Sequence, residues 1–97
     1  MKKETTAIRT ALEPSPHREH STPVYLTSSF VFENAEQARA IFAEEEQGNV
    51  YSRYTNPNTD EFVRKIAALE GFKHGIATAS GMAAVFATLG ALLEAGD

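Results

Sequence analysis

The segment Thr78-Ala79-Ser80-Gly81-Met82 has residue types that suit the binding of a phosphate group. It lies between a short apolar run and a long helix-forming run, so the pattern predicts a turn that leads into a helix. At a helix start the first backbone N–H groups lack partners and the dipole is positive, so an anion is stabilised there. Gly81 would let the backbone approach that anion closely. The same residues also fit a plain helix start, in which Ser80 is only the cap and Gly81 only the turn.

A second candidate is the segment Tyr51-Ser52-Arg53-Tyr54-Thr55-Asn56-Pro57, which lies in a predicted loop over residues 48–58. Alternation along an extended segment would place Tyr51 and Arg53 on one side. A guanidinium supplies paired donors to phosphate oxygens and a phenol adds a neutral donor, so the two together suit a dianion. The alternative is a solvated loop in which Arg53 pairs with a nearby carboxylate.

The residues before this loop predict an arm with little core of its own. Residues 1–22 are polar and proline-containing, which predicts an extended segment with one turn of helix near residues 7–12. Residues 24–32 favour extended structure, but polar residues interrupt the alternation that a sheet needs. Such an arm needs another surface on which to lie.

Two capping boxes predict the helices on either side of the loop. Asn34 with Gln37 begins the first, and its apolar residues recur at helical spacing until Gly48. Asn58 with Glu61 begins the second, which carries one apolar stripe. The predicted loop that contains the tyrosine and the arginine lies between these two helices.

The last third of the chain predicts a helix, a strand and another helix. Gly71 supplies a left-handed stop, residues 72–78 fit a short buried strand, and residues 82–93 form an apolar helix closed by Gly96. Apolar side chains cover more than half the circumference of this last helix, so it needs partners on several sides. In an alternating architecture the next residues would enter another parallel strand.

Composition restricts the function. The 97 residues carry a net charge of -4, which argues against nucleic-acid binding. The chain has no cysteine, no secretory leader pattern and no apolar run long enough to span a membrane, so we expect a cytoplasmic protein. His17 and His20 form an H-x-x-H, but no third ligand stands out, so we expect no metal site.

Three motifs in order resemble the cystathionine gamma-synthase family, whose enzymes use pyridoxal 5'-phosphate (PLP). They are Tyr51-Ser-Arg-Tyr-Thr-Asn-Pro57, Ala68-Leu-Glu-Gly71 and Ala79-Ser-Gly-Met-Ala-Ala84. The earlier segments Ala7-Ile-Arg9 and Thr22-Pro-Val-Tyr-Leu-Thr-Ser-Ser-Phe30 resemble the family's amino-terminal arm. The resemblance covers essentially the whole chain and is greatest to O-succinylhomoserine or O-acetylhomoserine sulfhydrylases.

The resemblance implies an α/β fold: an amino-terminal arm plus the start of the large domain of a PLP fold type I (aspartate aminotransferase-like) enzyme, with this piece mostly helical and extended. Residues 1–57 would be the arm, with one helix and a cofactor-phosphate loop, and residues 58–97 the truncated beginning of the PLP-binding domain. In relatives, the pair here numbered Tyr51 and Arg53 reaches the PLP phosphate of the neighbouring subunit of a homodimer or homotetramer. The turn at Ser80, Gly81 and Met82 binds the phosphate of its own subunit.

The family's Schiff-base lysine and its other catalytic residues would lie beyond Asp97, so we expect no catalytic residue here and no activity from this piece alone. Lys2, Lys3, Lys65 and Lys73 match no such context and are expected to be surface groups. At full length the resemblance implies gamma-replacement on an O-acylated homoserine, an amino-acid substrate, by a sulfur nucleophile. The alternatives are methionine gamma-lyase or cystathionine gamma-synthase or lyase activity, or a non-catalytic helical interaction module.

Overall fold

Helices joined by extended and turning segments make up the fold. A computed structural model describes residues 1–97. The only β-type pairing is an isolated antiparallel bridge between Ser29 and Tyr51. No helix combines the length and the apolar character that crossing a membrane requires. In chain order the helices are α1 (Lys3–Arg9), α2 (Ala35–Phe42), α3 (Pro57–Glu70) and α4 (Gly81–Leu92).

The chain buries very little of itself. Only Ala67, 8% exposed, and Asn56, 7% exposed, are buried. The radius of gyration is 16.4 Å, whereas a compact domain of this length has about 13 Å. Among the helices, α1 packs on α3, and no other two helices are in contact. The apolar faces of the helices are therefore largely open.

The arm has more helix than its sequence predicts. Helix α1 begins at Lys3 and ends at Arg9, whereas a single turn was predicted at residues 7–12. Glu4 in the first turn and Arg9 in the last turn both suit the helix dipole, which supports this earlier position. Residues 22–32 are neither helix nor strand apart from the bridge at Ser29, as predicted.

Helix α2 begins where predicted and ends earlier. The Asn34 side chain accepts a hydrogen bond of 2.8 Å from the Gln37 N–H. The helix ends at Phe42 rather than at Gly48. Gly48 instead leaves room for the side chain of Ile41, because a Cβ at residue 48 would lie 2.6 Å from the Ile41 Cδ1.

A left-handed residue ends α2. Glu44 has φ 58°. The Glu45 N–H donates to the Ala40 carbonyl at 2.9 Å and the Glu44 N–H donates to the Ile41 carbonyl at 3.1 Å. These bonds form a Schellman motif, which usually has glycine at the position of Glu44.

Helix α3 begins at a different residue from the one predicted. Its N-cap is Asn56, not Asn58, and Pro57 is its first residue. Proline suits that position because its fixed φ is already helical and its missing N–H has no helical partner. Gly71 has φ 77° and ends the helix, as predicted.

The carboxyl-terminal segment has no strand. Residues 72–78 were predicted to form a buried strand, but Ile76 is 92% exposed and the segment is irregular. The prediction was wrong because no strand in this chain lies beside the segment to accept or donate ladder hydrogen bonds. Helix α4 ends at Leu92, before Gly96, and its Phe86 is 79% exposed.

Candidate phosphate-binding site

The start of α4 has unused backbone donors. The Ser80 hydroxyl accepts from the Ala83 N–H at 3.1 Å, so Ser80 is the cap that its sequence predicted. The Ala84 N–H donates to the Ser80 carbonyl at 3.1 Å. The N–H groups of Gly81 and Met82 donate to no group of the chain. Two adjacent free donors at the positive end of a helix dipole suit an anion.

The space in front of this helix start is open. A Cβ added at Gly81 would meet no heavy atom within 4 Å. The preceding turn is fixed by the Thr78 hydroxyl, which donates to the Ser80 carbonyl at 2.9 Å. The donors are therefore held in place by local hydrogen bonds and remain accessible.

Tyr51 and Arg53 lie together, although not for the predicted reason. The loop forms a turn here and is not extended, because the Tyr54 and Thr55 N–H groups donate to the Tyr51 carbonyl at 2.9 Å and 3.1 Å. The turn brings the guanidinium carbon of Arg53 to 5.3 Å from the centroid of the Tyr51 ring. A cation this close to a ring face is attracted by its quadrupole, so the two side chains form one unit.

The guanidinium of Arg53 has no carboxylate partner. The ion pairs of the chain use Arg39, Arg64 and Lys65, and Arg53 lies in none of them. Neither the Arg53 guanidinium nor the Tyr51 hydroxyl makes a hydrogen bond within the chain. The alternative in which Arg53 pairs with a nearby carboxylate is therefore wrong.

Arg39, unlike Arg53, is held by two carboxylates of the same chain. Its guanidinium donates to Glu45 at 2.6 Å and to Glu36 at 2.9 Å. These hydrogen bonds, that of Glu45 first, raise the pKa of Arg39 above its usual range, and Arg39 lowers the pKa of Glu45. Arg39 is neutralised by its neighbours, whereas Arg53 keeps its charge and its donors free.

The two candidate groups are not bonded to each other in this chain. No hydrogen bond or ion pair joins residues 78–82 to residues 51–53, and α4 contacts no other helix. The structure brings Tyr51 and Arg53 together, and it aligns Gly81 and Met82 behind the Ser80 cap. It therefore presents two separate groups of donors.

The sequence analysis missed Asn56, which anchors the loop. The Asn56 side chain donates to the Tyr25 carbonyl at 3.1 Å and to the Ser52 hydroxyl at 3.0 Å, and it accepts from the Asn58 N–H at 2.9 Å. The signal that could have found it is the Asn-Pro dipeptide before a helical run, which places asparagine at the N-cap and proline at the first helical position.

Asn58, which is not the cap, attaches the arm instead. Its side chain accepts from the Tyr25 N–H at 2.7 Å and donates to the Pro23 carbonyl at 2.7 Å. The arm meets α3 again where Arg64 pairs with Glu13 at 2.7 Å. Together these contacts attach the arm to the first turns of α3.

One lysine differs from its prediction. Lys2, Lys3 and Lys73 are exposed, as expected. Lys65 is half-buried and pairs with Glu61 one turn earlier in α3. The hydrogen bond from Lys65 is the main cause that lowers the pKa of the Glu61 carboxyl, and the side chain of Thr22 is the second. Lys65 is therefore committed to an ion pair beside the arm.

Comparison with known proteins gives consistent matches along the chain. The family model described as "Cys/Met metabolism PLP-dependent enzyme" matches residues 4–97. The chain is 48% identical to an O-succinylhomoserine sulfhydrylase of Pseudomonas aeruginosa, with 97% of this chain and 23% of that protein covered. It is 45% identical to an L-methionine gamma-lyase of Fusobacterium nucleatum, with 96% of this chain and 24% of that protein covered.

A solved structure matches the fold. The crystal structure of a Campylobacter jejuni protein described as an O-acetylhomoserine (thiol)-lyase superposes with a TM-score of 0.93 at 42% identity, and it covers 100% of this chain and 24% of that protein. That structure contains N'-pyridoxyl-lysine-5'-monophosphate. The chain thus spans about a quarter of the length of the proteins that it matches.

Proposed function

Because the chain belongs to the Cys/Met metabolism family of PLP-dependent enzymes, we propose that it supplies phosphate-binding elements to an enzyme of gamma-replacement. The substrate is an O-acylated homoserine and the incoming group is a sulfur nucleophile, in methionine or homocysteine biosynthesis. The predicted family and fold class are confirmed, and the family's cofactor is PLP. The reaction itself is inferred from the likeness to sulfhydrylases.

The free guanidinium of Arg53 beside Tyr51 is the observation that carries the proposal. A phosphate monoester is close to a dianion at neutral pH, and an arginine offers it two parallel hydrogen bonds. We assign Tyr51 and Arg53 to the PLP phosphate of a neighbouring identical subunit. We assign the Gly81 and Met82 N–H groups, behind Ser80, to the phosphate of their own subunit. The lack of any hydrogen bond or ion pair between the two groups supports this division.

In this enzyme the residues of the chain bind and orient. When bound, PLP supplies the electron sink that the carbon chemistry of the substrate requires. The charge of Arg53 and the N–H groups at α4 hold the phosphate, and a fixed phosphate fixes the position of the reactive ring. Lys65 is held in an ion pair and the other three lysines are exposed, so the 97 residues alone are proposed to be inactive.

The domain division, the assembly and the location of the proposed enzyme are inferred from the same likeness to sulfhydrylases. Residues 1–57 form the arm with the phosphate loop and residues 58–97 begin the PLP-binding domain. The assembly is a homodimer or homotetramer, because a phosphate held by Arg53 in one subunit belongs to the next. A cytoplasmic location fits the absence of cysteine. The likeness to a methionine gamma-lyase makes elimination from methionine the second candidate activity.

The first experiment measures the intact mass of the protein before and after PLP and borohydride, followed by product analysis. We expect no PLP adduct on a chain of 10.6 kDa and one PLP on a longer enzyme. That enzyme should make homocysteine from O-succinylhomoserine and sulfide, whereas 2-oxobutyrate from methionine would favour the lyase. A PLP adduct on the 10.6 kDa chain would contradict the proposed inactivity.

A pair of arginine variants tests the phosphate assignment in the PLP-bound enzyme. Arg53→Ala should weaken PLP binding by about tenfold or more, because it removes a charge-assisted pair of hydrogen bonds. Arg18→Ala is the matched control, because the Arg18 side chain also has no partner in the chain but lies on the arm. Equal PLP affinity in the two variants would refute the role of Arg53.

A further inference from the structure

We propose that Ser52 and Asn56 are positioning residues that hold Tyr51 and Arg53 ready for phosphate. This inference rests on the proposed function, since it concerns the same loop. Ser52 is the residue between the two candidate ligands, and Asn56 is the only buried polar residue of the chain. Neither belongs to the set of donors that would touch the phosphate.

Ser52 is attached to the arm through both its backbone and its side chain. Its N–H donates to the Ser28 carbonyl at 2.9 Å. Its hydroxyl donates to the Thr27 carbonyl and accepts from the Asn56 amide at 3.0 Å. These bonds hold Ser52 against the arm. Tyr51 and Arg53, the residues before and after it, remain exposed and lie against each other.

Asn56 joins this attachment to α3. Its amide group uses both of its N–H donors, one to the Tyr25 carbonyl and one to Ser52. Its oxygen caps α3 by accepting from the Asn58 N–H. One side chain thus connects the arm, the phosphate loop and the helix that follows, and it does so at 7% exposure.

The consequence for binding is preorganisation. A loop that is already ordered loses little conformational freedom when a ligand binds, whereas a loose loop must be ordered at the expense of affinity. Burial of Asn56 increases the cost of breaking this network, because its buried amide would lose a hydrogen-bond partner if the Ser52 hydroxyl were removed. The network should therefore matter for ligands that carry a phosphate and not for ligands that lack one.

The experiment compares PLP with pyridoxal, which lacks the phosphate, as ligands of the intact PLP enzyme that contains this chain. Ser52→Ala removes the hydroxyl and should weaken PLP binding by about tenfold while pyridoxal binding stays unchanged. Ser52→Thr keeps a hydroxyl and should restore PLP affinity. Ser28→Ala is the matched control, because the Ser28 hydroxyl makes no hydrogen bond.

A second variant separates positioning from helix capping. Asn56→Asp keeps the oxygen that caps α3 but removes both N–H donors, so PLP affinity should fall as it does in Ser52→Ala. The loss should persist at high salt, where repulsion between the new carboxylate and the phosphate is screened. Asn34→Asp makes the same change at the cap of α2, where the side chain only accepts a hydrogen bond, and should leave PLP affinity unchanged.

The outcomes distinguish this inference from the proposed function. Equal losses of PLP and pyridoxal affinity in Ser52→Ala would show a general structural role and overturn the inference. Unchanged PLP affinity in Ser52→Ala, alongside a loss in Arg53→Ala, would overturn the inference alone. Unchanged PLP affinity in Arg53→Ala would reject the proposed role of the loop itself.

Discussion

Residues 1–71 and residues 73–97 present their phosphate donors in different ways. In the first region, side chains of Ser52, Asn56 and Asn58 bond to the backbone of an arm more than twenty residues away in sequence. In the second region every hydrogen bond is local, and none reaches the rest of the chain. Side-chain donors thus depend on a distant scaffold, whereas backbone donors need only a helix to form.

This difference predicts how far the structural effect of a substitution extends along the chain. A substitution in the arm or in the first turn of α3 should disturb residues that are remote in sequence, because they share one hydrogen-bond network. The effect of a substitution at the start of α4 should be confined to α4.

The largest effect is expected from Asn58→Ala, which detaches the arm from α3. The Tyr25 N–H and the Pro23 carbonyl each lose a bond, at a combined cost of roughly 2 kcal/mol. Hydrogen exchange should show faster exchange at Tyr25 and at Ser52. Asn49→Ala is the control, since the Asn49 side chain makes no hydrogen bond.

Ser80→Ala is the counterpart in the second region. It removes the cap of α4 at a cost of about 1 kcal/mol, and exchange should quicken within α4 only. Faster exchange at α3 in this variant, or no change at Tyr25 in Asn58→Ala, would contradict the division into two regions.

A smaller effect is expected from pH, through the Glu61 carboxyl beside Lys65. Its pKa is lowered from the ordinary value of 4.5 in the folded chain, so its stabilising contribution is present above that value and is lost as pH falls through the lowered pKa. Acid should therefore loosen the contact between the arm and α3, by at most about 1 kcal/mol. Exchange at Tyr25, whose N–H donates to the Asn58 side chain of α3, checks this when it is measured from pH 6 to pH 3 and corrected for the intrinsic pH dependence of exchange.

Glu61→Gln should abolish that pH dependence. Glu45→Gln is the comparison. The pKa of Glu45 is lowered too, by Arg39 instead of a lysine, but this ion pair is more than half exposed and belongs to α2 and the residues that follow it. Replacing Glu45 in this way should leave the acid response at Tyr25 unchanged. The same response in wild type and in Glu61→Gln would show that another group is responsible.

The smallest effect is expected from Glu44→Gly at the end of α2. Glu44 has φ 58°, which is unfavourable for a residue with a Cβ but not for glycine, so the change should stabilise this helix end by about 0.5 kcal/mol. Ala43→Gly, one residue earlier at φ -83°, should do the opposite. Slower exchange in the last turn of α2 in Glu44→Gly alone would bear out the strain.

Local signals in the sequence were enough for much of the fold. Gly71 as a left-handed stop, Ser80 as the cap of α4 and Asn34 as the start of α2 all depend on a few neighbouring residues, and the structure confirms each of them. The ordered motifs also gave the family. These signals succeed because capping and turn chemistry act within one helical turn.

The failures required knowledge of distant contacts. Asn58 has the spacing of a capping box with Glu61, but Pro57 favours a cap one position earlier and the arm takes the Asn58 side chain. The strand predicted at residues 72–78 needs a neighbouring strand that this chain does not provide. That Arg53 has no ion-pair partner could not be predicted from the sequence, because it depends on where side chains such as Glu45 and Glu61 pair in the folded chain, which is with Arg39 and Lys65.

The burial of Ala67 as the only apolar core residue has a thermodynamic consequence. A globular domain gains about 12–15 cal/mol/K of heat capacity per residue on unfolding, because melting newly wets its interior. In this chain the large apolar side chains of α4 are already in water, so the gain is far smaller. Heating the isolated chain should give a broad, shallow calorimetric trace, as helices fray without the sharp melting of a core.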